Sequence, residues 1–151
     1  MSEQMKDPFV WENKVWDLVG AEDIYSLFDP KKFGLSPSPR NTACWKGFVV
    51  QIKVTKDGLM LDTLYVYCQD NKYPPINGVS PIDTDLGMKY YDNINLKLEY
   101  SGTITVGTNM LSQFHGRAFI GGHAYEKTFE LTFEKGALIE SKDTSGTYHG
   151  F

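Results

Sequence analysis

Side chains able to carry a proton or a charge cluster in the stretch FHGRAFIGGHAYEKTF, where His115, Arg117, His123, Tyr125 and Glu126 fall within twelve residues among Gly116, Gly121 and Gly122. Imidazole beside carboxylate can exchange a proton near neutral pH, a guanidinium fork can hold an anion, and glycines let a substrate reach the backbone. A small hydrolase-type enzyme built from this chain would use His115, His123 and Glu126. The spacing, however, fits no nucleophile elbow, no HExxH helix and no P-loop, so no reaction is specified. His, Tyr and Arg beside a strand more commonly satisfy hydrogen bonds. His115, His123 and Glu126, with His149 as a distant fourth, are the sole set for a metal. Neither histidine pair has the i, i+4 or i, i+2 spacing that aims two imidazoles together. Neither a metal nor another cofactor is expected.

A second constellation is built for contact. Tyr73, Tyr90 and Tyr91 stand near Asp70, Asp83, Asp85 and Asp92 in loop-rich sequence. Rigid rings supply contact area and carboxylates steer a basic partner. The candidate binding residues are Tyr73, Asp83, Asp85, Tyr90, Tyr91, Asp92 and Arg117. The leading expectation is a non-enzymatic protein-binding module, an inhibitor or immunity-type protein for a basic partner such as a toxin or nuclease. A solvated acidic loop with incidental tyrosines is the plainer alternative. A third reading is a small-ligand-binding β-domain whose concave face is lined by Trp45, Tyr100, Phe114 and Phe129.

These residues need a frame, and Leu96 to Val106 shows what kind. Leu96, Leu98, Tyr100, Gly102, Ile104 and Val106 alternate with Lys97, Glu99, Ser101, Thr103 and Thr105, the pattern of a half-buried antiparallel strand. Trp45 to Tyr67 reads as a hairpin turning at Lys56-Asp57-Gly58, and Tyr125 to Ser141 as another turning at Glu134-Lys135-Gly136. In the latter, Phe129, Leu131 and Phe133 face inward, with Thr128, Glu130, Thr132 and Glu134 in water. The shared outline of the two hairpins reflects good turn chemistry more readily than duplication.

Elsewhere the pattern is looser. Phe9 to Leu18 fits helix and strand templates equally. Ala21 to Phe28 places Ile24, Leu27 and Phe28 at helical spacing behind Glu22 and Asp23, which predicts a short helix ending before Asp29-Pro30. Lys31 to Thr42 and Gln69 to Pro81 are irregular by their prolines and glycines, and long ordered loops of this kind are often functional. Asp83 to Asn93 allows a weak helical turn. The expected fold is therefore α+β: mainly antiparallel sheet of about five to seven strands. A short N-terminal helix accompanies it, and curling at Gly102 and Gly121-Gly122 would give a partial barrel.

Composition bounds the rest. The 151 residues, 41 % hydrophobic and 14 % aromatic, suit one domain over 1–151, with 142–151 as a candidate flexible tail. A formal net charge of −4 argues against nucleic acid, whose phosphates need a concentrated basic surface. No signal-peptide core and no apolar run of membrane-spanning length occur, so neither membrane nor secretion is expected. Cys44 and Cys68 lack zinc spacing and read as two thiols in a reducing cytoplasm, with a cross-strand bridge as the lesser alternative. Nothing in the pattern fixes an oligomeric state.

Overall fold

The computed structural model describes residues 7–19, 24–39, 46–85, 87–111 and 124–145. Among them ten strands form one sheet: β1 (Pro8–Trp11), β2 (Lys14–Val19), β3 (Phe48–Thr55), β4 (Gly58–Val66), β5 (Ile82–Asp83), β6 (Lys89–Tyr91), β7 (Leu96–Lys97), β8 (Gly102–Met110), β9 (Tyr125–Glu134) and β10 (Ala137–Asp143). Their order is β10-β9-β8-β2-β1-β3-β4-β6-β5, and β7 joins β4 separately. Every pairing is antiparallel except that of β1 with β3. The expected antiparallel β architecture is present. The strand count exceeds the expectation because β5, β6 and β7 are only two or three residues long, too short to leave a period in the sequence.

Turn chemistry places the two long hairpins where the sequence did. At the β3–β4 turn only Gly58 has positive φ, whereas at the β9–β10 turn both Lys135 and Gly136 do, the pattern of a type I′ turn. The ambiguous stretch Phe9 to Leu18 is a third hairpin, β1–β2, turning on Glu12 and Asn13, both at positive φ. Phe9 and Trp16 sit opposite one another and both are buried.

Three expectations need correction. The N-terminal helix is a single turn, Ile24–Leu27, closed by one bond from Phe28 N–H to the Ile24 carbonyl at 2.9 Å. One turn barely repays nucleation, and Asp29-Pro30 then starts a 3-10 turn over Pro30–Phe33, with Asp29 capping the Lys31 N–H. In 83–93, Asp83 ends β5 and Lys89–Tyr91 form β6, and the expected helical turn shrinks to one bond from Gly87 N–H to the Thr84 carbonyl at 3.5 Å. Thr128, expected in water, is buried: its phase on β9 faces outward, but Thr144 covers it and the two hydroxyls lie 2.8 Å apart. Of the 142–151 tail, Lys142 and Asp143 complete β10, and residues 146–151 lie outside the described residues.

Leu96 to Val106 keeps its alternation, with Leu98, Ile104 and Val106 buried and Lys97, Glu99, Ser101 and Thr103 exposed. It is nonetheless two strands. β7 pairs with β4 and β8 with β2 and β9, so the chain crosses from one half of the sheet to the other between them. At Gly102 the Tyr100 ring folds so close that an added Cβ would lie 2.6 Å from its hydroxyl. Gly121 and Gly122 lie outside the described residues.

The crossing curls the sheet without closing it. Leu98 N–H donates to the Leu59 carbonyl (2.9 Å), Leu59 N–H to the Gly136 carbonyl (2.8 Å), and Gly136 N–H to the Tyr100 carbonyl (2.8 Å). The tips of the two long hairpins are thereby tied together through residues 98–100. Inside the curl lies one large apolar cluster that includes Phe9, Trp16, Phe48, Ile52, Leu64, Val106 and Phe133. Trp11, Trp16 and Phe129 meet there with centroids 5.1 to 5.5 Å apart.

Candidate binding face

The end of the sheet formed by β3, β4, β6 and β5 carries most of the contact residues read from the sequence. Its register explains which of them reach solvent. Leu59 and Leu61 point into the core. The pairing then slips between Gln51 and Ile52, so that Leu64 and Val66 take over the inward positions. The slip turns Tyr65 outward, and the pairings Val49↔Tyr65, Tyr65↔Tyr90 and Tyr90↔Ile82 then align four residues across four strands. Directly opposite residues share a face of the sheet, so Val49, Tyr65, Tyr90 and Ile82 form a continuous row on the side away from the core.

Within the row, the Tyr65 and Tyr90 rings stack with centroids 4.4 Å apart. Val49 is covered by Met88, with Tyr65 and Tyr67 packed against both. Ile82, at the open edge, is 60 % exposed. Tyr90 donates its hydroxyl to Asp92 Oδ1 at 3.1 Å. Burial and the adjacent carboxylate raise its pKa above the ordinary tyrosine value, so the phenol stays neutral and its ring stays apolar. Asp83, Asp85 and Asp92 are all exposed; Asp92 lies on this face through Tyr90, whereas Asp83, next to Ile82 on β5, points the other way and pairs with Lys89. By contrast Asp7 and Asp62 are spent inside the fold: Asp7 accepts from Lys46 Nζ (3.0 Å) and the Val50 N–H (2.9 Å), and Asp62 from Gln51 Nε2 (2.9 Å).

The remaining contact residues separate. Tyr91, next along β6, points the opposite way, is fully buried, and donates to the Pro74 carbonyl at 2.7 Å. It is a core residue, its pKa pushed up to about 12 chiefly by burial. Tyr73 is half-buried, and its hydroxyl bridges the Cys68 backbone, accepting from the N–H (2.8 Å) and donating to the carbonyl (3.2 Å). Arg117 lies outside the described residues, as do His115 and His123.

Of the proton-bearing stretch, only Tyr125 and Glu126 fall within the described residues. Tyr125 is buried and donates to Asp17 Oδ2 at 2.8 Å, linking β9 to β2. Glu126 follows it on β9, exposed and facing the other side. Of the ligand-cavity set, Tyr100 and Phe129 pack against the core, while Trp45 and Phe114 lie outside the described residues. Cys68 is a buried free thiol whose pKa is raised by burial, and Cys44 lies outside the described residues. Among the described residues no helix is long and apolar enough to cross a membrane.

Tyr65, Met88 and Ile82 were not singled out for this face by sequence reasoning. The signal was present: inward leucines at 59, 61 and 64 break strict alternation and betray the slip that exposes Tyr65. No protein-family model, no curated protein and no solved structure matches the chain.

Proposed function

We propose that this protein is a non-catalytic binding module that docks a basic protein through the Val49–Tyr65–Tyr90–Ile82 row, as an inhibitor or immunity-type protein does. The observation that supports it is the row itself: an apolar and aromatic strip aligned by strand register, ending in an exposed isoleucine, with the carboxylate of Asp92 on the Tyr90 hydroxyl and that of Asp85 also exposed. Stacked tyrosines held in place lose little entropy on contact, and exposed carboxylates raise the association rate of a cationic partner. The buried free thiol of Cys68 suits the reducing, cytoplasmic setting that belongs to this reading.

The test is comparative capture. The immobilised protein and its Tyr90→Ala and Ile82→Asp variants, each shown folded by circular dichroism, are exposed to extract of the source cells. The reading expects a basic protein that the parent retains, that salt releases, and that both variants lose. Identical retention by all three proteins contradicts it.

A further inference from the structure

Beside the docking row, the end of the β5–β6 ribbon carries a second feature. A cleft of about 440 Å³ opens at the end of β4 and β6, between the segment Tyr67–Tyr73 and residues 83–89. That volume lies within the range of small-molecule sites. Among the described residues its one lining cation is Lys89, whose ammonium stands 5.6 Å from the Tyr73 ring centroid and pairs with Asp83. The two partners of that pair are not alike. The Lys89 side chain is 31 % exposed and the Asp83 side chain 86 %, so the carboxylate sits on the water side and the ammonium on the cleft side. Lys89 lies opposite Val66, an inward position at the end of the sheet, and Asp83 lies opposite Lys89. Tyr73 cannot swing away from the ammonium, because its hydroxyl is bound both ways by the Cys68 backbone.

We propose that this cleft binds a small organic anion, a carboxylate or phosphate group, which takes the place of Asp83 on Lys89. The exchange is inexpensive, because an exposed carboxylate gains little from an ion pair and its release returns it to water. The incoming anion gains a cation already held against an aromatic ring. Gln69 and Asn71 at the rim offer amides to the uncharged remainder of the ligand. A cationic ligand is disfavoured, since the one lining carboxylate among the described residues, Asp83, is already paired and Lys89 would repel the newcomer. The cleft adjoins the docking row, since Tyr67 and Met88 line it and also pack on the row, but its cation, Lys89, points to the opposite face of β6 from Tyr90.

The experiment is an amide-resolved NMR titration of the full chain with acetate, with inorganic phosphate, and with ethylammonium, at constant ionic strength. The proposal expects both anions to shift the signals of residues 67–73 and 87–89, and ethylammonium to leave them unmoved. Lys89→Met abolishes the shifts, and Asp83→Asn tightens anion binding about two- to five-fold by removing the competitor. Absence of shifts with both anions, shifts with ethylammonium, anion binding that survives Lys89→Met, or weaker anion binding in Asp83→Asn each overturns it. The Asp83→Asn arm needs no loss of function and so remains readable if Lys89→Met is poorly folded.

Discussion

Replacing Gly136 by alanine tests the tie between the two long hairpins, and its cost can be worked from the structure. Gly136 has φ +85, and an added Cβ would lie 2.3 Å from the Leu98 carbonyl oxygen, a backbone atom that cannot step aside alone. The left-handed conformation costs an alanine roughly 1–2 kcal/mol. Relieving the clash means drawing the turn away from residues 98–100, which stretches the bonds of Gly136 N–H to Tyr100 and of Leu59 N–H to Gly136. Each such bond contributes about 1 kcal/mol net. The sum is about 3–4 kcal/mol, a large share of the roughly 5–15 kcal/mol that holds an ordinary domain together. Gly78 supplies the control. It has φ +78, with nothing among the described residues within 4 Å of an added Cβ, so Gly78→Ala should cost only the conformational part, roughly 1–2 kcal/mol. Equilibrium urea denaturation of the parent and the two variants reads both values as midpoint shifts. Equal destabilisation by Gly136→Ala and Gly78→Ala would refute the tie, since the backbone conformation alone would then explain everything.

Two further outcomes follow from buried polar groups. Thr128→Val should cost about 1 kcal/mol by breaking its hydroxyl bond with Thr144, and the double variant with Thr144→Val should lose less than the two single losses summed in the same denaturation assay. Tyr91 titrates at about 12 in the fold against 10.0 for a free tyrosine. Its folded pKa is raised, so its contribution is complete below about pH 10 and is lost as pH rises to about 12, where the unfolded chain has released the proton and the native chain still holds it. The loss amounts to about 2–3 kcal/mol. The stability of Tyr91→Phe should fall less over that window, and parallel declines in parent and variant would assign the effect to other groups.

The sequence exposed those parts of the fold whose determinants are local. Gly58 and Gly136 mark turns by their own backbone chemistry, and the alternation of β3, β8 and β9 is long enough to show a period of two. Short strands such as Lys89–Tyr91 carry no period, and Gly87 nearby mimics a break. The turn at Glu12-Asn13 was hidden because neither residue is glycine, although asparagine tolerates positive φ. The parallel pairing of β1 with β3 and the contact between hairpin tips join residues distant in sequence, and no local pattern encodes them. The contact residues were legible by type and not by direction. Tyr90 and Tyr91 are adjacent and identical in chemistry, yet the pairing of β6 with β4 sends one to the outer row and the other into the core.

The docking row is tested most directly by site-specific photo-crosslinking. A benzoylphenylalanine is placed at position 82, at position 139 or at position 15, the three large apolar residues exposed on the described surface. Irradiation in the source cells should yield one salt-sensitive adduct with a basic protein from position 82, and no such adduct from positions 139 and 15. An adduct that forms equally from all three positions, or from 139 or 15 alone, contradicts the assignment of this face.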